Sequence, residues 1–239
     1  MKVLHCADIH LTAGPDDDAS KALLRIAEAA IQEQVDVVHV NGDVFDSKST
    51  PTQRLVFKSF IDILKSKHIE TVIIRGNHDE AGDLMVYDDR LNNIYVVEKP
   101  ESLALMGGNY RVFCVPHFHA GALALNHDTQ REIGQAGSAA FDELLDALWN
   151  EANLWRGQAM ALVFHGMTTG MCLDNGYVPR TNGIHLSPDR LAVFPGPVIG
   201  GHIHKHQDVT GEGRVFYSGS PVAHTFGEET TKGYLIVEH

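Results

Sequence analysis

Cysteine is scarce in this 239-residue chain: Cys6, Cys114 and Cys172 are odd in number and scattered. That excludes a disulfide framework and predicts reduced thiols in a cytoplasmic compartment. Long apolar runs are missing as well. None approaches the ~18 residues of a membrane span, and the start, Met1-Lys2-Val3-Leu4-His5-Cys6, reads as a strand rather than a signal peptide. No membrane association is expected. Basic residues are outnumbered, with 19 Lys and Arg against 31 Asp and Glu and a formal net charge of −12. The basic face of a general nucleic-acid binder is therefore not expected. Screening beyond ~10 Å still leaves the local field at a site free to differ from the total. Repeats, low-complexity tracts and linker-like stretches are also lacking. What remains, 44% apolar and 21% charged, is an ordinary globular composition with enough residues for one large core.

Short β-branched runs recur at 2–6, 35–40, 70–74, 94–97, 111–115, 159–164, 197–200, 214–217 and 233–237, each bounded by Gly, Pro, Asn or Asp. They predict strands. Helical periodicity fills 19–34, 52–66 and 138–152, and Pro51 is well placed to open the second helix. Alternation of strand and helix in the first half predicts a parallel sheet. The last 45 or so residues show strands without helices, so antiparallel pairing is expected there. Segment 166–190 carries neither pattern, and a loop of that length is expected to be functional.

Five motifs close these runs: Asp8-Ile9-His10, Gly42-Asp43-Val44-Phe45-Asp46, Gly76-Asn77-His78-Asp79-Glu80, Phe164-His165-Gly166 and Gly201-His202-Ile203-His204. Residues two apart in an extended chain share a face, so Asp8 and His10 are expected to reach one ion, and His202 and His204 have the same spacing. Ligands at the C-terminal ends of successive strands converge on one rim. Carboxylate, imidazole and amide without thiolate suit Mn, Fe, Zn and similar ions. Two divalent ions against Asp8 and Asp43 would leave the site positive by about two charges, an attractor for phosphate.

These motifs resemble those of the calcineurin-like metallophosphoesterases: D-x-H, G-D-x-x-D, G-N-H-D/E, H and G-H-x-H, all present in order. Within that superfamily the chain is similar to the SbcD and Mre type of DNA repair nuclease. Gly42-Asp43-Val44-Phe45-Asp46 followed by Pro51, Val112-Phe113-Cys114-Val115-Pro116, Tyr217-Ser218-Gly219-Ser220-Pro221, Phe226-Gly227-Glu228 and Lys232-Gly233 carry that closer likeness. The resemblance implies an αββα sandwich of two mixed β-sheets flanked by helices. It implies two divalent metal ions, Mn2+ first and Mg2+, Fe or Zn as alternatives. Asp8, His10, Asp43 and His204 would hold one ion, and Asp43, Asn77, His165 and His202 the other. His78 would stand beside the scissile phosphate with Asp79 orienting its imidazole. Asp46 is read as a turn or capping carboxylate.

The implied activity is a metal-dependent exo- or endonuclease acting on DNA ends or single-stranded regions, with DNA repair and recombination as its setting. The alternative is a small-molecule phosphodiesterase or phosphatase. Tyr177 and Arg180 are the expected substrate contacts. A DNA groove would further require Lys48, Arg54, Arg75, Arg190 and Lys205 along its walls. The chain is expected to be one phosphoesterase domain over 1–239, without the capping and ATPase-binding segments that would couple it to an SbcC-like partner. A homodimer is expected through 52–66, where Val56, Phe57, Phe60, Ile63 and Leu64 spread around more than one stripe of the helix.

Overall fold

Alternation in the β-branched runs becomes, in the computed structural model, strands whose two faces serve different layers. Every residue is described except 13, 15, 119–129, 179–183 and 229–230, and for 130–135 only the backbone. One sheet carries β1 (Lys2–Cys6), β2 (Val37–Asn41), β3 (Glu70–Ile74) and β4 (Ile94–Val97), parallel and in sequence order. The second carries β5 (Glu101–Leu105), β6 (Tyr110–Val115), β7 (Ala159–His165), β10 (Val198–Gly201), β11 (Gln207–Asp208) and β12 (Val215–Tyr217), in the order β11-β12-β10-β7-β6-β5. β8 (Met167–Thr168) and β9 (His185–Leu186) form a small parallel pair of their own. β13 (Leu235–Glu238) returns to the first sheet, antiparallel to β1.

Helices α1 (Asp18–Gln32) and α2 (Pro51–Ser66) contribute to an apolar layer with Leu4, Cys6, Val38, Val40 and Ile73 of the first sheet. Val3, Val37, Val72, Val112 and Val163 meet between the sheets. Phe113, Val115, Leu162 and Phe164 pack with residues of α3 (Gln130–Leu154) and α4 (Pro188–Ala192). The result is the expected mixed α/β architecture of two sheets flanked by helices. The period of two along each strand sends alternate residues to opposite layers. Thr50 caps α2 reciprocally with Gln53, whose amide also reaches the Leu11 carbonyl at 2.8 Å and ties the helix to the chain after β1.

Several expectations change. β10 and β12 are parallel; antiparallel pairing in the C-terminal part is confined to β11–β12 and β13–β1. β5 is an additional strand, hidden in the sequence because only Leu103 and Leu105 of its five residues are buried. The third helix starts at Gln130 rather than 138, through a stretch where Gly134 and Gly137 interrupt the apolar period. On α2, Phe57, Phe60 and Leu64 are buried within the molecule's own core, so they are not the dimer surface their spread suggested. Leu55 is the exposed apolar residue of that helix. It lines an open groove of about 570 Å³ with Lys58, Ile61 and Val86.

Candidate metal centre

The loops after β1 and β2 are zipped together by backbone bonds: Asp8 N–H to Gly42 O, Ile9 and His10 N–H to Asp43 O, and Leu11 N–H to Val44 O. Asp8, His10, Asp43 and His202 all take left-handed backbone conformations, at φ 54°, 49°, 53° and 96°. Four non-glycine residues held there are strain concentrated in one place. This also corrects the extended-chain argument. Asp8 and His10 lie beyond the end of β1, and tight turns, not strand alternation, bring them together. His202 and His204, with the same spacing, diverge to different clusters.

Asp8, His10 and His204 form one group and Asp43, His165 and His202 another, with candidate ligand atoms in each within 4.8 Å of one another. In the first, His10 Nε2 and His204 Nε2 face each other at 3.2 Å. In the second, Asn77 Oδ1 lies 3.0 Å from His165 Nε2 and 2.6 Å from His202 Nδ1. Asp43 Oδ2 stands between them, 3.7 Å from His10 Nε2 and 3.3 Å from His165 Nε2. Carboxylate and amide oxygens and imidazole nitrogens gathered this closely are a donor set that divalent ions suit. All seven residues expected as ligands therefore converge. Glycine is required at the crossover: a Cβ on Gly76 would collide with the Asp43 carboxylate and amide, and one on Gly42 with the His165 ring.

Titration directions follow from burial and from these neighbours. Burial pushes the Asp8 carboxyl up to about 6, against His165 and with Asp43. Burial also opposes ionisation of Asp43, yet the His165 imidazole holds it below the usual carboxylate range. His165 itself rises to about 9, because Asp43 and Asp8 outweigh its own burial. Burial, against the Asp43 charge and with neighbouring His204, lowers His10 to about 4; burial and His165 lower His202 to about 3. Neutral imidazoles are the ligand form.

The nitrogens facing away from the centre are also held. His165 Nδ1 donates to the Asn41 carbonyl at 2.7 Å, which presents Nε2 to the centre. His10 Nδ1 faces the Asp46 carboxylate at 3.4 Å. His78 Nδ1 lies 2.8 Å from the Asp46 carbonyl, and its backbone N–H donates to Asp43 Oδ1 at 2.9 Å. The expected role of Asp79 is corrected. Its buried carboxylate accepts from the backbone N–H groups of Gly76 and Phe45 at 2.9 and 3.0 Å and from Val44 at 3.4 Å. It shapes the loops beneath the centre and does not orient the His78 ring. Asp46, read as a turn residue, instead meets His10, and its carboxylate lies within 4.8 Å of ring nitrogens of both His10 and His78. Asp46 and Asp79 join Asp8 and Asp43, so four carboxylates, not two, would stand near two ions. The positive excess inferred from two carboxylates is correspondingly smaller.

Sequence reasoning also passed over Asn41 and Glu228, and read His224, which could reach the site, as structural or solvent-exposed. His224 Nε2 meets the Asp8 carbonyl at 3.0 Å, and Glu228 meets His204. Nothing in their own spacing marks them; Glu228 stood out only within the Phe-Gly-Glu likeness. His206 is bound to the Tyr217 carbonyl at 2.9 Å. An open cavity of about 360 Å³ adjoins the centre, lined by His202, His204, Glu228 and the 173–175 stretch. Tyr177 is exposed two residues beyond that stretch. Arg180, His119 and His127 lie outside the described residues. The cations named for a DNA groove are mostly engaged elsewhere: Arg54 with Asp83 at 2.8 Å, Arg190 with Asp146 at 2.9 Å, and Arg75 with the His117 carbonyl at 3.3 Å. Lys48 is exposed and faces Glu80 at 3.8 Å.

With this geometry in place, comparison with known proteins defines the class. Residues 1–206 match the calcineurin-like phosphoesterase family model, and the chain belongs to that family. Among curated relatives, the SbcD component of the nuclease SbcCD of Escherichia coli K12 is 26% identical over 95% of this chain and 62% of its own length. The uncharacterized metallophosphoesterase YhaO of Bacillus subtilis is 25% identical over 99% of this chain and 57% of its own. DNA double-strand break repair protein Mre11 of Nanoarchaeum equitans is 35% identical over 32% of this chain and 22% of its own. The chain thus spans about three-fifths of the length of the first two relatives. A dimetal phosphatase from Danio rerio shares the fold, with a TM-score of 0.53 at 12% identity, covering 98% of this chain and 91% of that one. Among the described residues, no helix is long and apolar enough to cross a membrane.

Proposed function

We propose that this chain is a dinuclear-metal-dependent phosphodiesterase acting on DNA, a nuclease of the SbcD type. The observation that carries the reading is Asp43, placed between two ligand groups with His78 beside them. Asp8, His10, Asp43 and His204 would hold one ion and Asp43, Asn77, His165 and His202 the other, with Mn2+ the first choice. When bound, the ions supply an acidified water and positive charge for the phosphoryl oxygens. The chain's own contribution is orientation. His78, fixed through Nδ1 by the Asp46 carbonyl, offers its other nitrogen to a phosphoryl oxygen or to the departing oxygen. Tyr177 and Arg180 are the proposed contacts to a single strand, where a base can stack on the tyrosine. An SbcC-like ATPase is the proposed partner. A second copy of the chain is proposed to cover Leu55 and Val86; light scattering at tens of micromolar showing only the monomer mass would remove it.

A second reading, a small-molecule phosphodiesterase or phosphatase, is favoured by one observation: the net charge is −12 and Arg54 and Arg190 are already paired. Phosphate neutralisation by Lys and Arg supplies most non-specific DNA affinity. The deciding experiment measures cleavage of labelled single- and double-stranded DNA beside a chromogenic phosphodiester, with Mn2+, Mg2+ or chelator. Metal-dependent DNA cleavage that favours single strands or frayed ends is expected. Strong turnover of the small diester with no DNA cleavage in any metal would overturn the nuclease reading.

A further inference from the structure

His224, Glu228 and Lys232 belong to none of the ligand motifs, yet their side chains gather beside one half of the centre. Glu228 Oε1 lies 3.2 Å from His204 Nδ1. Its other oxygen takes the Lys232 ammonium at 2.8 Å and the His224 backbone N–H at 3.2 Å. Lys232 also reaches Asp174 at 2.9 Å and the His204 carbonyl at 3.1 Å. The three charged side chains are nearly buried, at 8%, 7% and 7% exposure for Glu228, Lys232 and Asp174. A buried ion group of this kind is costly to assemble and gains little stability over apolar packing. Its geometry has a specific product: it holds the proton of His204 on Nδ1. Nε2 is then the lone pair turned to His10 and the first ligand group.

We propose that Glu228 is a positioning residue for the first metal site: its carboxylate fixes the tautomer and ring angle of His204, and Lys232 keeps that carboxylate in place. The inference rests on the dinuclear reading above and deepens it. Asn41 does for His165 through a carbonyl what Glu228 does for His204 through a charge, so the two sites are tuned by separate groups. Loss of a partner on the far nitrogen of a metal-site imidazole typically weakens metal affinity about 10- to 100-fold. The effect is therefore expected at one ion only.

The test is a Mn2+ titration of the whole chain, by calorimetry or by competition with a chromophoric chelator, that resolves two affinities without any substrate. Glu228→Ala should weaken one ion by about 10- to 100-fold and leave the other unchanged. Glu228→Gln, which still offers a neutral acceptor and leaves less room for misfolding, should lose less at the same ion. Asp174→Asn removes one of the two carboxylates paired with Lys232 but leaves the Lys232–Glu228 pair and the Glu228–His204 contact in place. It should lower the melting temperature of the metal-free protein while leaving both affinities in place. Wild-type protein that binds two ions, with Glu228→Ala binding both as tightly, overturns this inference alone. So does an Asp174→Asn protein that loses the same ion to the same extent, since the network would then act through the fold. Wild-type protein that binds fewer than two ions overturns the dinuclear reading and this inference together.

Discussion

His78 and Asp43 are adjacent in space and differ in what they hold. Asp43 Oδ2 faces histidines of both ligand groups, whereas the hydrogen bond from His78 to Asp43 Oδ1 comes from its backbone N–H. The His78 ring is held by the Asp46 carbonyl, to one side of the seven expected ligands. Removing the ring should therefore leave metal content near wild type and lower turnover by about 10²–10⁴-fold, the usual worth of a positioned acid or hydrogen-bond donor. Asp43→Ala should lose both ions and activity. Elemental analysis beside single-substrate kinetics checks the pair; equal loss of metal in both variants would make His78 a ligand.

At the scale of loops and strands, the centre depends on two crossovers held from below. Asp79 accepts three backbone N–H groups, from Gly76 on its own loop and from Val44 and Phe45 on the loop after β2. Burial, reinforced by the Asp43 charge, pushes its carboxyl up to about 6. Asp79→Asn replaces one acceptor with a donor aimed at those amides, at a cost of ~1–3 kcal/mol per group left unsatisfied. Metal-free protein should melt several degrees lower, and metal content should fall because Asp43 loses its support. A variant with unchanged melting and metal content but slow turnover would restore the expected role of Asp79 as the partner of the His78 ring.

The whole molecule carries a further polar feature away from the centre. His5 and His39 are fully buried between the sheets, with rings 4.7 Å apart, and neither bonds to a described residue through its ring nitrogens. Burial and then the neighbouring His239 lower His39 to about 3; burial and then His39 and His239 push His5 well down. Unfolded histidines protonate near ~6.5 while these stay neutral, so below that pH the unfolded state binds more protons. Stability should fall with acidification by about 1.4 kcal/mol per pH unit for each of the two. For His39 the loss ends near its folded value of about 3. Urea unfolding of metal-free protein between about pH 7 and 5 should show a slope that becomes shallower, approaching that amount per residue at the acid end, in His5→Leu and His39→Leu. An unchanged slope in both would mean that these rings are protonated in the folded state.

Much of this was legible in the chain itself. Period-two runs with β-branched residues marked most strands, and the five motifs named all seven residues that converge on the centre, because their chemistry is carried by residue type and order. The sequence by itself determined the class of chemistry and the parallel order of β1 to β4. Other features depend on distance in space between residues far apart in the chain. The left-handed turns at Asp8, His10, Asp43 and His202 decide which side chains fall in which group, and local spacing carries no record of that. Asp46 and Asp79 exchange their expected importance because one loop crosses over another, so that the carboxylate next to His78 in sequence points down into backbone amides and the more distant one meets the imidazoles. Glu228 reaches His204 from 24 positions away, and His202 N–H reaches Asp8 across 194. Only the closing of two sheets on one rim decides such contacts. Hydrogen bonds and buried charges are satisfied wherever the fold brings a partner, and their energies depend on that distance and burial rather than on order along the chain.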